Sequence, residues 1–475
     1  MNILAIDQGT TSTRAIGINE RNQIEVLHSL SHKQHFPKNG WVEQDPDELY
    51  QNINACIRSS GKNDFVGFDN QGESCLAWHA DTKEALSPII SWQDTRTATF
   101  LNELKKNGND EISLSTAGLP LEPYFSASKL GWIVSNLKSV KQTLKAGKLR
   151  LGTTDAFFLD RLTGNFLTDV TTASRTSLMD LKTLDWDPQL CKMFGVPIEC
   201  LPEITSSTRD FGVLESHEGK PCVSASIVDQ QAALYGSGCN RIGDLKITFG
   251  TGAFALVLTG DSIVRAPSKG LIPTLAWHFD DEAPVYALDG GVFTASSCVD
   301  WAKSLGLFNE FSEINNFSSV SAIDNGLAFV PALSGLGSPH WVPEARGLWL
   351  GLGRSQSRQQ LMQAILEGIA FRAAEVVIAM RESTSVSETI IVDGGMSRNS
   401  YFIQFLADVC GCEILLSKTP ENTGLGTLKL ASRLPGKQLF YENDGARVKP
   451  QLDRGDDLEK FKHAISFSKK WSELN

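Results

Sequence analysis

What the 475-residue chain lacks narrows its chemistry first. No apolar run approaches the roughly 18 residues that cross a bilayer. The N-terminus has neither a basic leader nor a small-residue cleavage site, and Asp7 interrupts its first apolar segment, so the expectation is a cytoplasmic protein with no membrane partner. Clustered lysine and arginine are also missing. With 44 basic against 55 acidic residues the net charge is −11, which argues against a phosphate-backbone surface and hence a nucleic-acid partner. Nine cysteines, an odd number without framework spacing, give no disulfide scaffold. Cys410 and Cys412 form a lone CxC, read more simply as two small core residues than as a zinc site. The histidines form no HExxH pattern. What remains, 41% hydrophobic and 21% charged, is a globular composition at a length for two or three domains.

What is present begins with Ile3 to Ile18, ILAIDQGTTSTRAIGI. Alternating apolar residues break at Asp7-Gln8-Gly9 and resume after Thr10, Thr11 and Ser12, which predicts strand, tight turn, strand. Glycine lets the backbone approach a ligand, and successive N–H groups with neighbouring hydroxyls suit phosphate oxygens. An acid at the strand end, Asp7, can hold hydrated Mg²⁺ beside such a phosphate. Lys246 to Thr259, KITFGTGAFALVLT, repeats the pattern, with Gly250 and Thr251 offset by 250 − 9 = 241 from Gly9 and Thr10. That is close to half the chain. Duplicated halves, each presenting a Gly-Thr turn, predict two related domains that grip a polyphosphate between them.

Between the hairpins, Asp45, Pro46 and Glu48 predict a helix start. Phe65 to Phe68 runs into Asp69-Asn70-Gln71-Gly72-Glu73-Ser74, and the strand Pro88 to Ser91 into Trp92-Gln93-Asp94. Strand ends of this kind are where α/β sheets collect ligands, although either cluster alone also reads as a solvated turn or a packed indole. Val223 to Val228 predicts a strand, and Asp229-Gln230-Gln231 the turn into a helix. The helix dipole should keep Asp229 ionised at neutral pH, as an N-cap or as a carboxylate that accepts a hydroxyl proton. In the second half Ala287 to Thr294 predicts a strand with a Gly290-Gly291 turn. Ser357 and Gln360 predict a capping box, and Leu458 to Leu474 a surface helix. Thr389 to Val392 leads through Asp393-Gly394-Gly395 to a helix near Asn399, a usual setting for a nucleotide.

Taken in order, Asp7-Gln8-Gly9-Thr10-Thr11-Ser12, Gly40-Trp41-Val42-Glu43, Pro123-Tyr124-Phe125-Ser126, Asp229-Gln230-Gln231-Ala232-Ala233-Leu234, Gly250-Thr251-Gly252 and Asp393-Gly394-Gly395 resemble the FGGY family of carbohydrate kinases, its glycerol-phosphorylating members most. The resemblance implies an α/β fold of two actin-like, RNase H-like domains, residues 1–239 and 240–475, with ATP and Mg²⁺ in the cleft between them. It implies Asp229 as the base and Asp7 with Asp229 as holders of Mg²⁺ through water. Thr10, Thr11, Ser12, Gly250 and Thr251 would line the phosphates, and Gly395 and Asn399 the adenosine. A small polyol or sugar acceptor would meet Glu73, Trp92, Tyr124, Asp229, Gln230 and Phe254, and a homodimer is compatible with the resemblance. Gly72 stands where the resembled kinases carry an Arg before the acceptor-binding Glu, and Val228 where they commonly have Gly. Ser296 and Asp300 replace a Gly and a Gln. Removing an Arg vacates volume and donors, so a ketose, sugar acid or four- to five-carbon polyol stays open as the acceptor. A non-catalytic ATP- and sugar-binding sensor is the third reading.

Overall fold

A computed structural model describes residues 2–19, 23–280, 282–317, 320–436, 439 and 443–474. The first half is built on a five-stranded sheet of β1 (Ile3–Gln8), β2 (Ser12–Ile18), β3 (Ile24–Ser31), β4 (Phe65–Asn70) and β5 (Cys222–Val228), in the order β5-β4-β1-β2-β3. The second half uses β6 (Leu245–Phe249), β7 (Ala253–Gly260), β8 (Ile272–Trp277), β9 (Val285–Val292), β10 (Thr389–Gly394), β11 (Glu413–Leu416) and β12 (Arg447–Val448), in the order β8-β9-β7-β6-β10-β11-β12.

Both anticipated hairpins exist. β1 folds back on β2, and β6 on β7. The orders β5-β4-β1-β2-β3 and β11-β10-β6-β7-β9 coincide strand for strand, with the same parallel and antiparallel pairings. The duplication suggested by two Gly-Thr turns is therefore a duplication of the whole sheet.

The helices that position the site are α1 (Pro46–Ser59), α2 (Val170–Ser174), α3 (Asp229–Gly236), α4 (Ser296–Ser304), α5 (Arg358–Arg381), α6 (Ser400–Cys410), α7 (Asn422–Ala431) and α8 (Gly455–Ser472). Asp45 caps α1 by accepting from the N–H groups of Asp47 and Glu48. Ser357 and Gln360 form both bonds of the predicted capping box on α5. Asn399 caps α6, which ends at Gly411 in the left-handed conformation.

α3 follows β5 and α7 follows β11, and the two helices cross at the centre of the molecule. Their backbones touch: a Cβ on Gly236 would overlap the carbonyl oxygen of Asn422, and one on Gly426 that of Ala232. α7 also lies on the first sheet, where Thr427 Oγ1 donates to Asp69 Oδ2 at 2.7 Å and Ala431 O accepts from Ser224 Oγ at 2.9 Å. Two expectations change here. Gly290 and Gly291 lie inside β9 and not at a turn, because a Cβ on Gly290 would come within 2.6 Å of Val376 on α5. The C-terminal helix is more than a surface element, since α8 buries Leu458, Phe461, Ala464 and Ile465 in the second core. Cys410 and Cys412 are free thiols in that core. No helix among the described residues is long and apolar enough to cross a membrane.

Gly426→Ala should separate the crossed helices and lower stability by roughly 1–3 kcal/mol, the usual cost of overpacking. The midpoint of urea unfolding checks this, and an unchanged midpoint would show that the crossing tolerates a side chain.

Candidate active site

A cavity of about 220 Å³ lies where the sheets meet. Thr10 of the first turn and Gly250 of the second both line it, with Glu73, Trp92, Tyr124, Asp229, Gln230 and Phe254 between them. Thr11, Ser12 and Thr251 complete the two turns outside this lining, Thr11 and Thr251 exposed and Ser12 half-buried. The first turn is fixed from behind: the Thr10 carbonyl accepts from Gln44 Nε2 at 2.7 Å and lies 2.9 Å from His32 Nε2. The second is fixed by α4, whose Ser296 N–H donates to Gly250 O at 3.1 Å. A Cβ on Gly250 would meet nothing nearer than Gly252 O at 3.9 Å, so the turn faces open space.

Trp92 links Thr10 to Tyr124 on the first-half side of the cavity. Its indole Nε1 donates to Thr10 Oγ1 at 3.1 Å, and its ring meets Tyr124 edge-on at 5.5 Å. Glu73 follows Gly72 with φ +47°, a left-handed conformation that costs a non-glycine residue energy and is kept only where the surroundings enforce it. Both ends of the residue are held: Arg175 Nε donates to Glu73 Oε1 at 2.6 Å, and Ser126 Oγ to the Glu73 carbonyl at 2.9 Å. Gly72 does not open the cavity as its sequence suggested. Its Cβ position faces Val228 Cγ1 at 3.2 Å, so Val228 already fills that direction.

Carboxylates crowd the strand ends beside the cavity, and two of them, Glu73 and Asp229, line it. Asp7 and Asp69 stand opposite each other on parallel β1 and β4, and Asp229 begins α3 at the end of β5. Loss of solvent, then repulsion from Asp7 and Glu73, pushes the Asp229 carboxyl up to about 7 against the pull of the Gln230 N–H and Arg175. This corrects the expectation that the helix N-terminus keeps Asp229 fully ionised at neutral pH, because burial outweighs the dipole. Asp69 is held well above the usual carboxylate range by burial and then by Asp7. Burial also raises Glu73, outweighing Arg175.

Asp7 is bound by Arg14, which reaches Glu421 of the second half at 2.6 Å through its other nitrogen. Among the described residues no set of three or more His, Cys, Asp or Glu side chains is gathered to hold a metal. Asp7 and Asp229 would leave a hard cation dependent on phosphate and water for its other ligands, a donor set that suits Mg²⁺.

On the far side of the Gly250 turn, Gly395 is exposed and its Cβ position faces only Ser296 Oγ, at 3.9 Å. That hydroxyl is buried and accepts or donates no hydrogen bond among the described residues. Asp300 is exposed one turn further along α4. Asn399 uses both ends of its amide elsewhere, accepting from Phe402 N at 2.8 Å and donating to Ile314 O at 2.8 Å. Gly395 lines a crevice of about 720 Å³ with Arg398, Ser417 and Thr419, and Asn399 is not part of that lining.

Arg14, Arg175 and the cavity-lining Thr423 are members of this site that the sequence did not single out, and Asp69 was read only as part of the polar cluster at the end of β4. Only Arg14 left a readable signal: folding β1 onto β2 about the Gly9 turn sets it opposite Asp7.

The geometry has close parallels. The family model described as the N-terminal domain of the FGGY family of carbohydrate kinases matches residues 2–236, and the corresponding C-terminal domain model matches 245–434. The chain is 38% identical to a glycerol kinase of Bdellovibrio bacteriovorus over 445 residues, covering 90% of each. It is 39% identical to a glycerol kinase of Thermus brockianus over 437 residues, covering 89% of this chain and 88% of the other. Among solved structures, a Plasmodium falciparum glycerol kinase with ADP superposes with a TM-score of 0.89 at 31% identity, over 99% of this chain and 98% of that one.

A carboxyl raised from an ordinary value near 3.8 to about 7 binds a proton in the folded state that the unfolded state has lost. Stability from this group therefore falls as pH rises from about 4 to about 7. Asp229→Asn should remove the penalty, raising stability at pH 8 by on the order of 1–3 kcal/mol with little gain at pH 4. Unfolding curves at the two pH values decide it, and an equal effect at both would contradict the assignment.

Proposed function

The chain belongs to the FGGY family of carbohydrate kinases, and from that membership we propose that it transfers the γ-phosphoryl group of ATP to a hydroxyl of glycerol. It is a phosphotransferase acting on an alcohol group, with a small molecule as acceptor. The observation that carries the reading is that Thr10 and Gly250, from opposite halves, line one cavity with Asp229. The domains divide between residues 239 and 240, the location is the cytoplasm, and the proposed assembly is a homodimer.

In this reading the Thr10-Thr11-Ser12 and Gly250-Thr251 turns take the phosphates from two sides. Gly395 admits the adenosine beside Ser296, whose unpartnered hydroxyl gains a ligand, and Asn399 caps α6 behind it. Mg²⁺, bound through water by Asp7 and Asp229, would supply charge neutralisation at the phosphates. Glu73 and Gln230 hold acceptor hydroxyls, while Trp92, Tyr124 and Phe254 cover its carbon face and exclude water, which would otherwise compete for the phosphoryl group. Asp229 accepts the proton of the attacking hydroxyl as its oxygen bonds to the γ-phosphorus and the bond to the β-phosphate oxygen breaks. A carboxyl near 7 is matched to that task. Phosphoryl transfer needs little more than positioning and charge stabilisation, which these groups provide.

The larger-acceptor reading loses its support, because Val228 fills the direction from which Gly72 was taken to have withdrawn an arginine. Relatives that are glycerol kinases across nearly the whole chain favour the smaller polyol and a catalyst over a sensor.

Incubation with ATP, Mg²⁺ and a panel of glycerol, erythritol, xylulose and gluconate, with ADP measured, should give glycerol the highest kcat/KM. No ADP above the acceptor-free control would overturn the reading. Asp229→Ala should lower kcat by roughly 100- to 10,000-fold. The wild-type kcat/KM should fall about tenfold per pH unit below about 7, as the base of the free enzyme is protonated, and level off above it. A rate that rises on acidification would contradict Asp229 as the base.

A further inference from the structure

The arginine that holds Glu73 is itself held from the opposite half of the molecule. Asp169 accepts from the N–H groups of Thr171 and Thr172 at 2.9 Å each and so fixes α2, immediately before Arg175. The Arg175 side chain is buried. Its guanidinium reaches Glu73 Oε1 through Nε at 2.6 Å, and its Nη1 lies 3.0 Å from Asp289 Oδ2 on β9. Tyr124 and Phe125 enclose it, with ring centres 5.8 and 5.5 Å from the guanidinium carbon. Asp289 is buried, and its Oδ1 has no hydrogen bond among the described residues. One cation thus serves two buried carboxylates from opposite halves, Glu73 in the turn after β4 and Asp289 on β9, and removing either contact would leave a charge poorly compensated. Two residues beyond Asp289, Gly291 backs the Phe254 ring, its Cβ position 3.5 Å away.

We propose that Arg175 is a positioning residue that clasps the two lobes. It holds the Glu73 carboxylate toward the acceptor while Asp289 holds Arg175, so a residue that does not line the acceptor cavity sets acceptor affinity. This rests on the reading of Glu73 as an acceptor ligand given above. A guanidinium is suited to the role because its rigid fork serves two carboxylates at once, which an ammonium on a flexible stem does not.

Asp289→Asn and Arg175→Lys, singly and together, test it by steady-state kinetics with the acceptor the wild type turns over best. Asp289→Asn should raise the acceptor KM roughly tenfold, in the range of coupling between sites, with the ATP KM unchanged. Arg175→Lys should do at least as much, and Asp289→Asn should add little to it, because both variants break one clasp. Hydrogen exchange without any substrate should quicken together in segments 72–79 and 285–292 of each folded variant. An unmoved acceptor KM, an ATP KM that rises in step, or additive variants would overturn the proposal, as would unchanged exchange. The exchange measurement needs no turnover. If the wild type transfers phosphate to no acceptor, the functional reading fails and exchange alone decides the clasp.

Discussion

The site depends on the contact between α3 and α7, where Gly236 and Gly426 let two backbones meet with no side chain between them. Each helix starts at the end of its sheet's outer parallel strand, so bringing the helices into contact turns the two strand-end clusters toward each other. The hairpin turns then face one cavity without any long loop to carry them there. Hydrogen bonds from α7 to Asp69 and Ser224 of the first half hold that arrangement.

Closeness of the lobes has an electrostatic consequence. Asp7, Asp69, Glu73 and Asp229 gather where the strands end, and Asp289 arrives from the second sheet. Two arginines answer them, and both span the lobes: Arg14 joins Asp7 to Glu421, and Arg175 joins Glu73 to Asp289. Asp69 and Asp229 have no cation at contact distance among the described residues; Asp69 is turned to the Thr427 hydroxyl, whereas Asp229 lines the cavity with its carboxyl raised to about 7. Burial beside Asp7 and Glu73 suits it to the proposed role of base, since a carboxylate ionised at lower pH would bind a proton too weakly to take one from an alcohol.

Much of this was legible in the residues. The hairpins, the strand into Asp229, the capping box of α5 and the helix start near Asn399 follow from local chemistry and fall where it placed them. The duplicated turn pointed to the duplicated sheet. The misjudged points all need information from outside the local segment. Gly290 and Gly291 look like a turn until α5 is packed against them, and Asp229 looks like an ordinary helix-start carboxylate until the cavity strips its solvent. Gly72 looks like a vacancy until Val228 is seen beside it. Arg175 and Asp289 carry no motif at all, and only the crossing of chain segments far apart in sequence brings them together.

The central claim is that one nucleotide lies between the two turns with its terminal phosphate toward Asp229. A crystal structure with a non-hydrolysable ATP analogue, Mg²⁺ and glycerol tests this most directly. The account predicts the γ-phosphorus between Thr10 and Gly250, with a glycerol hydroxyl within hydrogen-bond distance of the Asp229 carboxylate. A nucleotide lying wholly in the crevice that Gly395 shares with Arg398, Ser417 and Thr419, its phosphates away from both turns and from Asp229, would contradict it.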